Sequence, residues 1–431
     1  MVLEEKMRNK IITLLLYFAC CFAIGCGNNS SQQNEQNTAT KTPEVTQQVK
    51  EEQEQEEQQE EEGKIITDST EIIAMAGSIV SEMTLEEKIG QLFIVNLEQL
   101  DNSKGDYYEF RKFTDEMKEK AEQYHIGGII LFARNMESIE QTKKLIETAQ
   151  ESVSIPLFIS VDEEGGDVAR VGNNSNMYTT KFPSMEEVGA LGDLEYAYNM
   201  GETIGREIKE LGFNLDFAPV ADVKTNEYNT EIGNRSFGND AKLVSNMVSK
   251  VVKGIQSQGI SATLKHFPGH GSTTGDSHTS PVNADTDLLG LRSNEFKPFR
   301  AGIEAGADFV MISHISISRV TESTVPASMS DLVVKNMLRD ELEFKGVVIT
   351  DAMDMGAITE KYEAGEATIN CIKAGVDIVL MTTDIEEAYN AIYDAVESGE
   401  ISETQITESV QRIMETKIKR GIVLSNTDLL K

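Results

Sequence analysis

Past about Ile65, short apolar runs rich in β-branched residues alternate with longer stretches in which apolar side chains recur every third or fourth position. The first kind suits a strand buried on both faces, the second a helix with one buried stripe. Eight strand candidates result: IGQLFIVNL (89–97), IGGIILFA (126–133), PLFISVD (156–162), FNLDFAPV (213–220), ATLKHF (262–267), DFVMISHI (308–315), GVVITDAM (346–353) and DIVLMTT (377–383). Between two of them, Val244, Met247, Val248, Val251, Val252 and Ile255 form one helical stripe that stops before Gly259. Strands that alternate with helices predict a parallel sheet. A count of eight predicts an α/β fold closed as a single (β/α)8 TIM-type barrel over 65–425, with an open doubly wound sheet as the alternative.

The start of the chain follows a different pattern. Arg8 and Lys10 precede an apolar run from Ile11 that is short for a membrane span and ends in small residues, so residues 1–26 read as a secretory signal. Its ending, AIGC, resembles a bacterial lipobox, which implies cleavage before Cys26 and lipidation of that thiol. Residues 27–64 contain no aromatic side chain and are dominated by Glu, Gln and Asn, a composition that cannot bury enough surface to order itself and therefore predicts a tether. The expected location is extracytoplasmic, with a lipid anchor in the bacterial cell membrane. Loss of the signal would leave Cys26 and Cys371, too few for a disulfide framework, and Cys371 falls in an apolar helical pattern.

Charge narrows the partners. The chain carries 39 Lys and Arg against 72 Asp and Glu, a formal charge of −33. Residues 1–63 account for −7 of it, so the folded part is itself strongly acidic. Nucleic acid is excluded as a partner on electrostatic grounds, and a neutral or mildly charged substrate is favoured.

Asp162, Lys265, His266, His314 and Asp351 each fall at or near the C-terminal end of a strand candidate. In a barrel those ends converge on the face that holds active sites. Asp351 would project into the mouth, where a carboxylate can attack a sugar carbon through an oxocarbenium-like transition state. The bland alternative is a cap for the next helix, a role that Asp354 fits better.

KHFPGHGSTTGDSH (265–278) holds three of the five histidines. Its proline and glycines forbid the helix that would make His266 and His270 a zincin pair. A zinc site from His266, His270, Asp276 and His278 is conceivable. The competing reading pairs Asp276 with His278: a carboxylate two residues away orients the imidazole and raises its basicity, so that it can protonate a leaving oxygen and then activate water. Lys265 and His266 would point donors at a hydroxyl-rich ligand.

These motifs, with VDEEGGDVAR (161–170), NLDFAPVADV (214–223), GNRSFGND (233–240), VPASMS (325–330) and MTLEEKIGQLF (83–93), resemble the family 3 glycoside hydrolases, and within them the β-N-acetylhexosaminidase branch. The resemblance runs in order over about residues 65–420 and implies a (β/α)8 barrel and no metal or other cofactor. It implies that Asp351 is the nucleophile of a retaining mechanism and that His278 is the acid/base with Asp276 as its dyad partner. Asp162, Arg235, Lys265 and His266 would hold the terminal sugar, with Arg170 and His314 at motif positions nearby. An acceptor that is neutral would avoid setting a second anion against the nucleophile. Related β-glucosidases usually draw the acid/base from a domain after the barrel; here the chain stops soon after a helical segment at 402–420, so a barrel loop is expected to supply it. Two departures, Asp167 where Arg is frequent and Ser272 where Asp is frequent, bear on the leaving-group contacts and the closed form of the loop.

The function expected is an exo-acting retaining β-N-acetylglucosaminidase that removes terminal β-GlcNAc, with anchoring that points to peptidoglycan fragments as substrates. Three rivals stand: a non-catalytic wall-saccharide-binding lipoprotein, a metal-dependent hydrolase using the histidine cluster, and a phosphorylase of the same family.

Overall fold

The computed structural model describes residues 66–105 and 107–424. The expected signal, Cys26 and the tether lie outside the described residues. Eight strands form one parallel sheet: β1 (Phe93–Val95), β2 (Gly128–Ile130), β3 (Phe158–Val161), β6 (Leu215–Asp216), β7 (Ser261–Phe267), β8 (Phe309–Ile312), β9 (Val347–Thr350) and β10 (Val379–Leu380). Two further short strands, β4 (Glu163–Gly165) and β5 (Val168–Ala169), make a separate antiparallel hairpin that the apolar pattern gave no hint of. The sheet order is β10-β1-β2-β3-β6-β7-β8-β9. Its two ends meet, since Ile349 bridges Ile378 in parallel and Thr350 N–H donates to the Ile378 carbonyl at 3.0 Å. The sheet is thus a barrel, not the open doubly wound alternative.

All eight predicted strands are present; seven are shorter than their apolar runs, while β7 begins one residue earlier, at Ser261. The first run differs most: Ile89 and Gly90 belong to the helix Leu85–Gly90. Thr84 and Glu87 form a reciprocal capping box there, with Glu87 N–H on Thr84 Oγ1 at 3.2 Å and Thr84 N–H on Glu87 Oε2 at 2.8 Å. Local capping thus fixes the helix before the apolar run can extend. The helix Ala241–Ser257 buries the predicted stripe in full. It lies close against Leu194–Leu211 because Gly254 faces Tyr198; a Cβ at Gly254 would stand 2.3 Å from the Tyr198 carbonyl oxygen.

Polar contacts close the base of the barrel. Lys417, on the helix Glu403–Lys419, is wholly buried; its ammonium donates to Gln91 Oε1 at 2.7 Å and lies 5.0 Å from the Phe158 ring centre. Asp377 binds Arg339 at 2.5 Å and Arg412 at 2.8 Å, and Asp308 binds Lys419 and Arg420. These pairs fasten the helix beneath the sheet and leave the opposite, C-terminal mouth free for chemistry.

Candidate active site

The mouth holds a cavity of about 890 Å³ whose wall includes Asp162, Arg235, Lys265, His266, His278 and Asp351. They arrive from several different strand ends and loops, as the barrel geometry requires. Asp162 follows β3, Lys265 and His266 lie near the end of β7, and Asp351 follows β9.

One half of the site is a buried ion-pair network. Lys265 Nζ lies 2.8 Å from Asp162 Oδ1 and 2.7 Å from Glu164 Oε1. Arg235 forks onto Glu164, with Nη2 to Oε1 at 2.8 Å and Nε to Oε2 at 3.0 Å. Burial alone would push Glu164 up, but the guanidinium and ammonium beside it hold its carboxyl far below the usual range. The charges of Asp162 and Glu164 likewise outweigh burial at Lys265 and keep its ammonium protonated. His266 Nδ1 lies 2.7 Å from Asp222 Oδ2, and Arg235 Nη2 lies 3.3 Å from His266 Nε2. An arginine only donates, so Nε2 accepts and Nδ1–H donates to Asp222. Arg170 stands 3.8 Å from Asp162 Oδ2, which leaves its role lighter than that of Arg235.

The other half is the loop after β7. His278 Nδ1 lies 2.9 Å from Asp276 Oδ1, the dyad expected from the sequence, and 3.1 Å from Glu231 Oε1, which was not expected. The hydrogen bond to Glu231 is the main cause that lifts the imidazole to about 9, ahead of the opposing effect of burial and the further pull of Asp351 and Asp276. That lift favours the protonated, donor form of His278 in the free site, which becomes a neutral acceptor once its proton has left. His270 braces the loop, with Nδ1 2.9 Å from Thr273 Oγ1, Nε2 3.1 Å from Ser277 Oγ and its N–H on Asp222 at 2.6 Å. Gly356 N–H donates to the His278 carbonyl at 2.9 Å, and a Cβ at Gly356 would come 2.6 Å from the Thr279 oxygen. The loop that carries His278 is thereby seated on the segment that follows Asp351.

Asp351 accepts from the Ala352 N–H at 2.8 Å. Burial raises its carboxyl, yet the imidazoles of His266 and His314 and that amide favour the anion and bring it below its ordinary value. His314 does not line the cavity, contrary to the substrate-binding role its motif position implies. Its Nε2 donates to the Ala352 carbonyl at 3.0 Å and its Nδ1 pairs with Ser328 Oγ at 2.9 Å, so both nitrogens are spent on structure, one of them on the segment that carries Asp351. Asp354 is also reassigned: the helix Gly356–Thr359 has Met355 as its cap with no side-chain bond, and Asp354 stands at the cavity mouth. Its carboxyl is raised, first by desolvation and then by the charge of Asp351.

The histidine zinc site does not assemble, because His266 and His270 are spent on Asp222, Thr273 and Ser277. The donors that do gather among the described residues are Glu231, Asp276 and His278, one atom each within 4.8 Å. Of the two departures, Asp167 bonds Asn234 at 2.8 Å and is not part of the cavity wall, while Ser272 Oγ is buried without a hydrogen-bond partner. Sequence reading missed Glu164, Asp222 and Glu231. Glu164 and Asp222 lie inside the quoted motifs, but Glu231 has no signal beyond standing four residues ahead of Arg235.

A mouth that combines a buried ion-pair network, a strand-end carboxylate and a carboxylate-bound imidazole gives this chain the layout of a TIM-type barrel with its chemistry-bearing residues at the C-terminal face. The Glycosyl hydrolase family 3 N terminal domain matches residues 84–416, and the chain belongs to that family. It is 36% identical to Beta-hexosaminidase A of Pseudoalteromonas piscicida over 333 residues, 70% of this chain and 55% of that protein. It is 32% identical to Beta-hexosaminidase LpqI of Mycobacterium tuberculosis over 304 residues, 68% of this chain and 76% of that one. Among solved structures, the family 3 beta-N-acetylglucosaminidase from Paenibacillus sp. str. FPU-7 superimposes with a TM-score of 0.74 at 36% identity, covering 80% of this chain and 65% of that one. The chain thus spans little more than half the length of the first of these relatives.

Proposed function

We propose that the chain is an exo-acting, retaining β-N-acetylglucosaminidase. The observation that carries the reading is a barrel-loop imidazole, bound to a carboxylate at 2.9 Å, in the same cavity as the strand-end carboxylate of Asp351. Asp351 attacks the anomeric carbon and forms a glycosyl ester, while His278 gives its proton to the leaving oxygen. The neutral imidazole then takes a proton from water as that water attacks the ester, and the β-configured sugar departs. Asp162, Arg235, Lys265 and His266 hold the terminal sugar's hydroxyls. The relatives' names support the hexosaminidase class.

Peptidoglycan fragments are the proposed source of the terminal GlcNAc. That choice rests on the AIGC motif, which would lipidate Cys26 and place the enzyme beside the wall. Among the described residues no helix is long and apolar enough to cross a membrane. Hydrolysis is favoured over phosphorolysis, because Asp276, Glu231, Asp351 and Asp354 surround His278 with carboxylates that repel a phosphate dianion. The test is product analysis on GlcNAc-terminated muropeptide fragments with and without phosphate. Free GlcNAc formed at a phosphate-independent rate supports the reading; GlcNAc 1-phosphate, or saccharide binding without turnover, overturns it.

A further inference from the structure

We infer that Glu231 is a positioning residue for the acid/base imidazole: it holds His278 Nδ1 from the barrel wall, whereas Asp276 holds the same nitrogen from within the loop. This rests on the proposed role of His278. Asp276 and His278 are two residues apart, and Asp276 Oδ1 accepts both the His278 N–H at 2.8 Å and the ring nitrogen. That pair sets the ring relative to its own loop and to nothing else. Glu231 supplies the missing reference. It sits at 3.3 Å from Arg235 Nη1, and Arg235 is forked onto buried Glu164. Two residues before it, Asn229 Nδ2 donates to the His270 carbonyl at 2.8 Å and to Thr273 Oγ1 at 3.2 Å, which ties the same segment to the loop's base. The proton donor is in this way referenced to the group that grips the sugar.

Electrostatics point the same way. The Glu231 side chain is 13% exposed against 42% for Asp276, so its charge is screened less by water. The groups facing His278 are Asp276 on its own loop, Glu231 and Arg235 from the wall, Asp351 and Asp354 after β9, and His314 after β8. Carboxylates outnumber cations in that set, and Glu231 is the largest single contributor to the rise of the imidazole. Burial works against Glu231 itself, but His278 above all, then Asp276 and Arg235, bring it down to about 2, so it stays anionic through any working pH.

The test uses the full chain as wild type, Glu231→Gln and Glu231→Ala. Two readouts are taken: the titration midpoint of the His278 imidazole by NMR of ring-labelled histidine, assigned by difference against His278→Gln, and kcat/KM against pH on chitobiose and on 4-nitrophenyl β-GlcNAc. Glu231→Gln is expected to lower the midpoint and the alkaline limb together by at least about one unit. On chitobiose at alkaline pH it is expected to lose roughly tenfold or more in kcat/KM through kcat, with a smaller loss on the aryl substrate. A midpoint in Glu231→Gln that coincides with the wild type overturns the inference. So does a loss confined to KM, which would assign Glu231 to Arg235 and the sugar alone. If Glu231→Ala does not fold, the isosteric Glu231→Gln still decides. If wild type cleaves neither substrate, the proposed function fails, while the midpoint comparison still decides the role of Glu231.

Discussion

Arg235 and Glu164 meet through two parallel hydrogen bonds, 2.8 and 3.0 Å long, with the Glu164 side chain 1% exposed. Glu164 also accepts from Lys265, so one carboxylate is shared by two cations that have left water. Removing it leaves Lys265 with Asp162 and Arg235 with Glu231 as their remaining carboxylates. Glu164→Ala is expected to destabilise the fold by about 3–5 kcal/mol, the usual result of breaking a buried ion pair from one side. Urea unfolding measures this, and an unchanged midpoint would show that water readily reaches the pair.

The nucleophile assignment predicts a covalent intermediate. Asp351→Ala should lower the release of 4-nitrophenol from 4-nitrophenyl β-GlcNAc by a factor on the order of 10⁴ or more. Incubation of the wild type with a slow fluorosugar should add one glycosyl mass to the peptide carrying Asp351. An adduct on any other peptide would relocate the nucleophile.

A proton donor matters most for a poor leaving group. His278→Ala should slow chitobiose cleavage by roughly 10²–10⁴ while sparing aryl glycosides far more. Comparison of kcat/KM on the two substrates checks it, and equal losses would remove His278 from the acid role.

At the base of the barrel, burial drives the Lys417 ammonium down from 10.5 to about 7. Between those two values the unfolded chain binds a proton that the folded chain does not, so this group makes stability rise with pH across that window. Lys417→Met should remove that component. Unfolding free energies for both proteins, taken at several pH values in the window, give the difference; parallel curves would count against the shift.

Much of the framework was legible from period and count. Each strand announced itself as a bounded apolar run, and the polar residue that ends several runs marked the mouth before any contact was known. Asp351, Lys265 and His266 were readable for that reason, and the Asp276–His278 pair because it is local in sequence. Glu231, Glu164 and Asp222 were not assigned, since each acts on a partner more than thirty residues away and depends on how the ring closes. Strand length was also overread: a run remains apolar past its last ladder bond when the following turn is packed under a helix. His314 shows the opposite error, a residue in the right place whose nitrogens are both taken by structure.

The closure of β10 onto β1 has a consequence for synthesis. Phe93 and Ile94 pair with Val379 and Leu380, and the helix Glu403–Lys419 packs against Ser69–Glu82. A nascent chain leaving the ribosome therefore carries β1 with one edge unpaired until almost three hundred further residues have been translated. Until then an apolar, hydrogen-bond-hungry strand is open to the wrong neighbour, and the growing polypeptide needs to be shielded for that whole interval.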